Sequence, residues 1–331
     1  MYESLSRPRV VDKEIKLYSG TGNPELARRI AQILHLELSG LKLEKFANGE
    51  TYARFDESIR GDDVFIIQSI AGANINDLLM ELLVATDAAK RAAVGTITAV
   101  IPHYAYARQD RKSDSREPIT ARLVANLLET SGVDRVITLD LHQGQIQGFF
   151  DIPVTNLTAL YLLGDYFLAK DFDWDNTVVV SPDMGRAKAA KKLADHLGCS
   201  VAIAHKSRPG HNQAEVMGII GDIKGKTCII NDDMIDTAGT LCGSLNKLKE
   251  MGAGDIHVCA THGLFTGPAI ERLENSPIVE CVVTDSVRCP HANKPGSKIK
   301  MISVARELAE AIHHVYCNEP TTEIFGGDLN L

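Results

Sequence analysis

The chain has 331 residues, 44% of them hydrophobic and 24% charged, a composition typical of a globular protein large enough for two domains. Because 43 acidic residues outnumber 35 basic ones and the net charge is −8, the composition argues against broad nucleic-acid binding. No apolar run approaches a membrane span and the first residues lack the apolar core of a signal peptide, so we expect a cytoplasmic protein with no membrane partner.

Short β-branched runs alternate with amphipathic helical stretches along the chain, which predicts an α/β fold with a mainly parallel sheet. Asn23 and Pro24 form a typical helix start, with a capping residue followed by proline at the first helical position. The predicted strands are 64–68, 97–101, 135–139, 177–181, 201–204, 227–231, 256–261 and 280–284. The predicted helices are 24–35, 77–92, 118–131, 184–197, 240–251 and 303–315.

A repeated order of elements indicates that the α/β unit is duplicated. Residues 61–101 and 221–261 each span 41 residues and both read glycine, strand, loop, helix, glycine, strand. Only the second copy has an acid pair after its first strand, so we expect only that copy to hold a sugar phosphate. The break at Asp151-Ile-Pro153 lies near the expected boundary, and we predict an N-terminal domain over 1–160 and a C-terminal domain over 161–331.

The stretch 228–241 combines an apolar strand, two acids and a small-residue turn that opens a helix. Backbone N–H groups of a tight turn and a helix N-terminus converge on a phosphate, and the Asp-Thr-Ala-Gly-Thr turn at 236–240 can supply them. Asp232 and Asp233 would suit the hydroxyls of a ribose or a bound Mg²⁺. An ordinary capped strand–loop–helix is the alternative, since Asp and Thr are common N-cap residues.

The seven cysteines show neither a disulfide nor a metal pattern. They are odd in number and no two of them stand as Cys-x-x-Cys, so free thiols in a reducing compartment are the expected state. Cys289 and His291 are close in sequence, but no second ligand pair accompanies them at metal spacing, which argues against a zinc site.

A cationic segment follows the strand predicted at 97–101. Within nine residues it carries Arg108, Arg111, Lys112 and Arg116. The planar fork of arginine suits phosphate oxygens, so the segment is a candidate polyphosphate-contacting loop. A solvated charged loop is the alternative.

Asp140, His142 and Asp183 also follow predicted strands, where α/β proteins place their sites. A structural histidine is the alternative for His142, and helix capping is the alternative for Asp183. Lys206 and Arg208 flank one residue, so in an extended segment their side chains point the same way. Two cations on a closing flap fit charge stabilisation in phosphoryl transfer, although such a pair could also be surface charge.

Together these segments resemble the ribose-phosphate diphosphokinases (phosphoribosyl pyrophosphate synthetases) of the phosphate-dependent class. The resemblance covers the chain from Lys16 to about Phe325. Its most specific motifs are Phe46-Ala-Asn-Gly-Glu50, Tyr106-Ala-Arg-Gln-Asp-Arg-Lys112, Asp140-Leu-His142 with Gln145-Ile-Gln-Gly-Phe-Phe150, and Asp232-Asp-Met-Ile-Asp-Thr-Ala-Gly-Thr240.

The resemblance implies two tandem phosphoribosyltransferase-like domains, each with a mainly parallel sheet flanked by helices, assembled into a homo-oligomer that is a hexamer built from dimers. It implies transfer of the β,γ-diphosphoryl group of ATP to the 1-hydroxyl of ribose 5-phosphate, with release of AMP and with Mg²⁺ as the cofactor. Positioning and electrostatics would supply most of the rate, because no residue stands out as an indispensable base.

The resemblance also implies a role for each matched residue. The ATP-binding residues would be Phe46, Asn48, Gly49 and Glu50 from a neighbouring subunit, with Arg108, Gln109 and Lys112. The ribose 5-phosphate-binding residues would be Arg208, Asp232, Asp233, Asp236, Thr237, Ala238, Gly239 and Thr240. His142 and Asp183 would hold Mg²⁺, and Lys206 and Arg208 would be the catalytic cations of the flap.

The chain departs from the family pattern at several positions. Arg186 stands where the family usually has glycine, and Ala189 stands where an arginine is usual. The arginine could crowd the pyrophosphate side of the site or replace the missing charge. Phosphate-regulated members carry serines where this chain has Gly144, Pro320 and Thr322, so we expect a weakened or altered allosteric anion site.

Two other functions share parts of this pattern. A non-catalytic subunit that associates with the enzyme and regulates it would keep the fold but not the catalytic cations. A phosphoribosyltransferase that consumes the activated sugar would share the 232–240 loop but does not predict the ATP-side segments at 46–50 and 106–112.

Overall fold

Two mainly parallel sheets, one in each half of the chain, form the framework of the molecule. The structure, a computed structural model, describes residues 13–210 and 213–321, and the side chains of 206–210 and 213–217 lie outside this description. The first half contains β1 (Ile15–Ser19), α1 (Pro24–Ile33), β2 (Leu41–Lys45), β3 (Thr51–Phe55), β4 (Asp63–Ile67), α2 (Ile75–Arg91), β5 (Thr96–Ile101), α3 (Thr120–Ser131), β6 (Arg135–Leu139) and β7 (Val154–Leu157).

The second half begins with a helix and ends with one. It contains α4 (Leu160–Leu168), β8 (Thr177–Ser181), α5 (Ala187–Leu197), β9 (Ser200–Gly210), β10 (Gln213–Ile220), β11 (Thr227–Ile235), α6 (Gly239–Glu250), β12 (Ile256–Gly263), α7 (Ala269–Glu274), β13 (Glu280–Thr284), β14 (Ile299–Ile302) and α8 (Ala305–Cys317). Along residues 13–210 and 213–321, no helix is long and apolar enough to cross a membrane.

The strand orders confirm the predicted fold class. The first sheet is parallel in the order β1-β4-β5-β6-β7, and the pair β2–β3 forms a separate antiparallel hairpin. The second sheet has the order β10-β9-β8-β11-β12-β13-β14, in which β10 is antiparallel to β9 and the other neighbours are parallel. The predicted repeat corresponds to β4–α2–β5 and β11–α6–β12, and each unit places its two strands side by side.

Successive residues of each central strand face different helix layers. Val64 and Ile66 of β4 belong to a core with α2 and α3, whereas Phe65 and Ile67 face a second core. In the other sheet, Val178 and Val180 of β8 pack in a core with α6 and α7. Because both faces of such strands are covered, their sequences are continuous apolar runs.

One hydrophobic core joins the two halves. It contains Leu17 and Phe65 from the first sheet, Val179 and Ile229 from the second, and Leu308 of α8. Helix α8 packs against α1, β6 and β7, so this helix of the second half returns to the first half. The sheets divide between β7 and β8, and the boundary at residue 160 stays a prediction for the domains.

Three predicted elements differ from the observed ones by three residues or more at one end. The strand predicted at 227–231 continues to Ile235 because β11 stays paired with β12 as far as Gly263. The strand predicted at 201–204 continues to Gly210 because β10 pairs with it. The helix predicted to start at 184 begins with a 3₁₀ turn, Met184–Arg186, before α5.

Candidate active site

The acceptor loop, residues 232–240, lies at the carboxyl end of β11. Asp232 and Asp233 are the last polar residues inside the strand rather than the first residues beyond it. After the turn, Ala238 takes a left-handed conformation (φ +57°) and Gly239 begins α6, whose N-cap has no side-chain hydrogen bond. The N–H groups of this first helical turn are therefore free of a capping side chain and can bind an anion.

The acid pair is joined to the first half of the chain by His142. Asp233 is 3% exposed, and its Oδ2 lies 2.6 Å from His142 Nδ1. The Asp233 N–H also donates to Oδ1 of Asp232 at 2.9 Å. The loop that follows β6 is thus attached directly to β11 of the second sheet.

The pKa values of the two acids of the pair are shifted in opposite directions. Burial alone would raise the pKa of Asp233, but the hydrogen bond with His142 and the charge of Arg186 hold it below its ordinary value. Burial and the neighbouring Asp233 raise the pKa of Asp232. The hydrogen bond to Asp233 raises the pKa of His142. The site therefore contains one firmly ionised carboxylate facing a histidine that is readily protonated.

The cationic segment that follows β5 contacts the acceptor loop through Arg108. Its Nη1 donates to Oδ2 of Asp236 at 2.7 Å, across 128 residues of sequence. Thr266 Oγ1 donates to the other oxygen of the same carboxylate, and Arg272 Nη1 donates to the Thr237 carbonyl at 2.9 Å. Two arginines thus surround the turn at 236–240.

Other residues of the segment that follows β5 have different environments. Gln109 is held locally, because its Oε1 accepts from Thr120 Oγ1 at 2.5 Å and its carbonyl accepts from the Ala121 N–H at 3.2 Å. Lys112 is exposed. Gln109 therefore anchors the loop to α3 in this structure, and Lys112 faces solvent.

The motif Phe46-Ala-Asn-Gly-Glu50 forms the tip of the β2–β3 hairpin. Phe46 is 54% exposed, Asn48 Oδ1 accepts from the Glu50 N–H at 3.2 Å, and Gly49 has the positive φ of +91° that this turn requires. Within the parts of the chain that the structure describes, this tip makes no hydrogen bond or ion pair with the loops at 103–119 and 232–240. Both segments contact the start of α2, where Lys45 beside the hairpin tip pairs with Asp77 and Tyr106 donates to Asn76.

His142 and Asp183 were predicted to hold a metal ion. Asp183 Oδ1 accepts from the Arg186 N–H at 3.2 Å, which is a capping contact, and His142 uses Nδ1 to reach Asp233. Among the described residues, neither belongs to a cluster of three metal-ligating side chains. Mg²⁺ keeps several waters and needs only one or two carboxylates besides substrate phosphates, so the free oxygens of Asp183 and of the acid pair fit that ion.

Three of the departures from the family pattern, Arg186, Ala189 and Gly144, line one cavity, whereas Thr322 lies outside the described residues. The cavity measures about 340 Å³ and lies between the two halves, and Asp140 and His142 also line it. The Nε of Arg186 is buried and has no hydrogen-bond partner among the described residues. The Arg186 charge helps to lower the pKa of Asp233 and partly opposes the rise in the pKa of Asp232. Arg186 therefore adds a cation beside the acids.

The predicted flap cations cannot be placed by their side chains. The backbone of Lys206 and Arg208 belongs to β9, but both side chains lie outside the described residues.

Two contact residues were missed by sequence reasoning, namely Arg272 and Thr266. Arg272 lies on the short helix α7, which has no strong sequence pattern, and only the tertiary contact with Thr237 reveals it.

Two mainly parallel sheets, an acid pair and a helix-opening turn at the end of β11, and a cationic loop against that turn define an α/β protein of the phosphoribosyltransferase type. A model of the N-terminal domain of ribose phosphate pyrophosphokinase matches residues 15–132, and a model of the phosphoribosyl synthetase-associated domain matches residues 208–326. The chain belongs to the ribose-phosphate pyrophosphokinase family.

Individual relatives agree with the family models. Ribose-phosphate pyrophosphokinases of Clostridium acetobutylicum and Bacillus subtilis are 49% and 50% identical to it, each match covering 95% of this chain and 98% of the relative. A crystal structure of phosphoribosylpyrophosphate synthetase from Mycobacterium smegmatis superposes with a TM-score of 0.84 at 44% identity, covering 92% of this chain and 100% of that one.

Proposed function

We propose that this chain transfers the β,γ-diphosphoryl group of ATP to the 1-hydroxyl of ribose 5-phosphate, giving 5-phosphoribosyl 1-diphosphate and AMP. The observation that carries this proposal is the 2.7 Å contact between Arg108 and Asp236, which joins the cationic loop to the sugar-phosphate loop. An enzyme that only consumed the activated sugar would need the second loop but not the first. We place the enzyme in the cytoplasm, in keeping with its seven free cysteines.

The acceptor half of the proposed site is the 232–240 loop. The free N–H groups at the start of α6, with the hydroxyls of Thr237 and Thr240, would bind the 5-phosphate. Asp232 and Asp233 would accept hydrogen bonds from the ribose hydroxyls. Asp236 and the backbone of Ala238 and Gly239 would be the remaining residues that bind ribose 5-phosphate in this loop. The low pKa of Asp233 suits this role, since an ionised carboxylate is an acceptor only.

The ATP half of the proposed site combines two surfaces. Arg108 would exchange Asp236 for the polyphosphate, while Gln109 and Lys112 would assist from the same loop. Phe46, Asn48, Gly49 and Glu50 would bind adenine from a neighbouring subunit, a role that the 54% exposure of Phe46 at the hairpin tip leaves open to it. This arrangement requires a homo-oligomer, for which we propose a hexamer built from dimers.

The divalent cation that the family uses is proposed to be Mg²⁺, held by His142 and Asp183 together with substrate phosphates. When bound, this ion would neutralise negative charge on the phosphate oxygens. Lys206 and Arg208 would stabilise the charge that builds on the oxygen bridging to AMP as the ribose 1-hydroxyl attacks the β-phosphorus. Arg208 would also contact ribose 5-phosphate.

The test is AMP release from ATP and ribose 5-phosphate by the purified full chain in the presence of Mg²⁺. Binding of ribose 5-phosphate without AMP release would instead indicate a regulatory subunit. Lys206→Ala should lower turnover by about 10²-fold or more with little change in ribose 5-phosphate affinity, because the cation acts mainly in the transition state. The exposed Lys224→Ala is the matched control, and equal turnover of the two variants would remove Lys206 from the mechanism.

A further inference from the structure

We propose that the C-terminal end of α8 binds a zinc-class divalent cation through His313, Cys317 and Glu319. These three side chains are exposed, and their potential ligand atoms all lie within 4.8 Å of one another. This is the only such cluster of three His, Cys, Asp or Glu side chains in the described part of the chain. The site is separate from the acid pair and from the proposed ATP-side residues.

The spacing of the ligands on the helix carries the proposal. His313 and Cys317 are four residues apart, so one side chain lies above the other on the same helix face. The Cys317 Sγ atom lies 3.7 Å from Nε2 and 3.9 Å from Nδ1 of His313. Bonds of about 2.3 Å to sulfur and about 2.0 Å to nitrogen at a tetrahedral angle separate the two ligand atoms by about 3.5 Å. The pair therefore needs only a small rotation to chelate a zinc-sized ion.

The third ligand is brought to the site by the way the helix ends. Asn318 takes the left-handed conformation (φ +55°), and the Glu319 N–H then donates to the His314 carbonyl at 2.8 Å. This turn folds Glu319 back over the last helical turn, with its Oε2 at 4.0 Å from His313 Nε2. The unpaired carbonyls at a helix C-terminus also favour a cation there.

The ligand chemistry selects the kind of ion. A thiolate beside an imidazole suits zinc, cobalt or nickel, whereas Mg²⁺ and Ca²⁺ prefer oxygen ligands and bind thiolates poorly. Binding replaces the proton on Cys317 Sγ by the metal, so one proton is released to solvent and no oxidation occurs. With three protein ligands, water would occupy a fourth position. The sequence argued against zinc because no second ligand pair accompanies Cys289 and His291, but the helical His-x₃-Cys pair at 313–317 is a different arrangement.

The experiment is a titration of the full chain with Co²⁺, after treatment with a chelator and under a non-thiol reductant. We expect a thiolate-to-cobalt charge-transfer band that saturates at one equivalent per chain, disappears on addition of Zn²⁺ and persists in excess Mg²⁺. Cys317→Ser should abolish the band. His313→Ala should weaken Co²⁺ binding by more than about tenfold, since even the loss of an outer-shell partner costs about 10–100-fold in metal affinity.

Cys199→Ser is the control, because that thiol is half-buried and does not belong to the cluster of His313, Cys317 and Glu319. It should keep the full charge-transfer band with an unchanged Co²⁺ affinity. The proposal is overturned if the native chain gives no saturable band, if the band survives Cys317→Ser, or if His313→Ala binds Co²⁺ as tightly as the native chain. AMP release by Cys317→Ser, measured alongside, reports that the variant is folded.

Discussion

The contact between His142 and Asp233 should couple the two halves of the chain energetically. A double-mutant cycle with His142→Ala and Asp233→Ala measures that coupling. The effects of the two single substitutions on the free energy of unfolding are subtracted from the effect of the double substitution, and the difference is the coupling free energy. The atoms lie 2.6 Å apart, Asp233 is 4% exposed at its side chain and His142 is 30% exposed. A hydrogen bond of this kind to a charged group contributes about 1.5–3 kcal/mol, and we expect a coupling free energy in that range.

The coupling should depend on pH in a defined direction. The raised pKa of His142 means that its contribution is fully present below its ordinary pKa of about 6.5 and is lost as the pH rises through the higher folded value. The lowered pKa of Asp233 means that its contribution is present above its ordinary pKa of about 3.9 and is lost as the pH falls. Both contributions are therefore present between about pH 4 and pH 6.5.

The assay is urea unfolding of the four proteins at pH 6 and pH 9, with a chelator present to exclude metal binding. A second cycle, with His196→Ala and Asp165→Ala, is the matched control. That pair is also a histidine and an aspartate, at 2.8 Å, but its carboxylate is 65% exposed, so we expect only about 0.2–1 kcal/mol. Equal coupling in the two cycles, or no decrease from pH 6 to pH 9, would refute the reasoning.

Two further predictions concern the charges of Glu280 and Arg186. Burial alone would raise the pKa of Glu280. Its hydrogen bonds, of which the one with His257 has the largest effect, hold this pKa at about 2. Glu280→Gln should therefore lower the free energy of unfolding by about 2–3 kcal/mol at pH 7, with the difference from the native chain shrinking below about pH 4.3, as urea unfolding across this range can show. Arg186→Gly removes a charge that lowers the pKa values of Asp232 and Asp233. It should move the acidic limit of ribose 5-phosphate binding to higher pH in calorimetric titrations, whereas an unshifted profile would mean that Arg186 does not act on the acid pair.

The sequence was sufficient for the elements whose patterns are local. The β-branched runs of β4, β5, β8 and β12 predicted buried parallel strands because such strands are apolar on both faces. The hairpin β2–β3 was missed because charged residues interrupt its apolar ones, and its faces are only partly buried. The helix α4 was missed for the opposite reason, since Leu-Tyr-Leu-Leu-Gly-Asp-Tyr-Phe-Leu has too little polar periodicity to show a helical face.

The pairings inside the candidate site could not have been obtained from sequence. The acid pair and the cationic loop were recognisable as separate motifs, but His142 and Asp233 are 91 residues apart and Arg108 and Asp236 are 128 apart. The extent of β11 was misjudged because aspartates disfavour strands, a local tendency that pairing with β12 overrides. Local chemistry therefore predicted the components of the site, and the tertiary fold determined which of them meet.

The strength of the contacts between the halves decides how the proposed site can open for substrates. The pair between Arg108 and Asp236 is exposed, so it contributes only about 0.2–1 kcal/mol to the arrangement of the two halves. Buried contacts hold that arrangement instead, including Asn23 Nδ2 to the Asp285 carbonyl at 2.7 Å and Ser69 Oγ to the Ser286 carbonyl at 2.6 Å, beside the shared apolar core. The proposed exchange of Asp236 for a polyphosphate at Arg108 would therefore cost little energy and would leave the buried contacts between the halves intact.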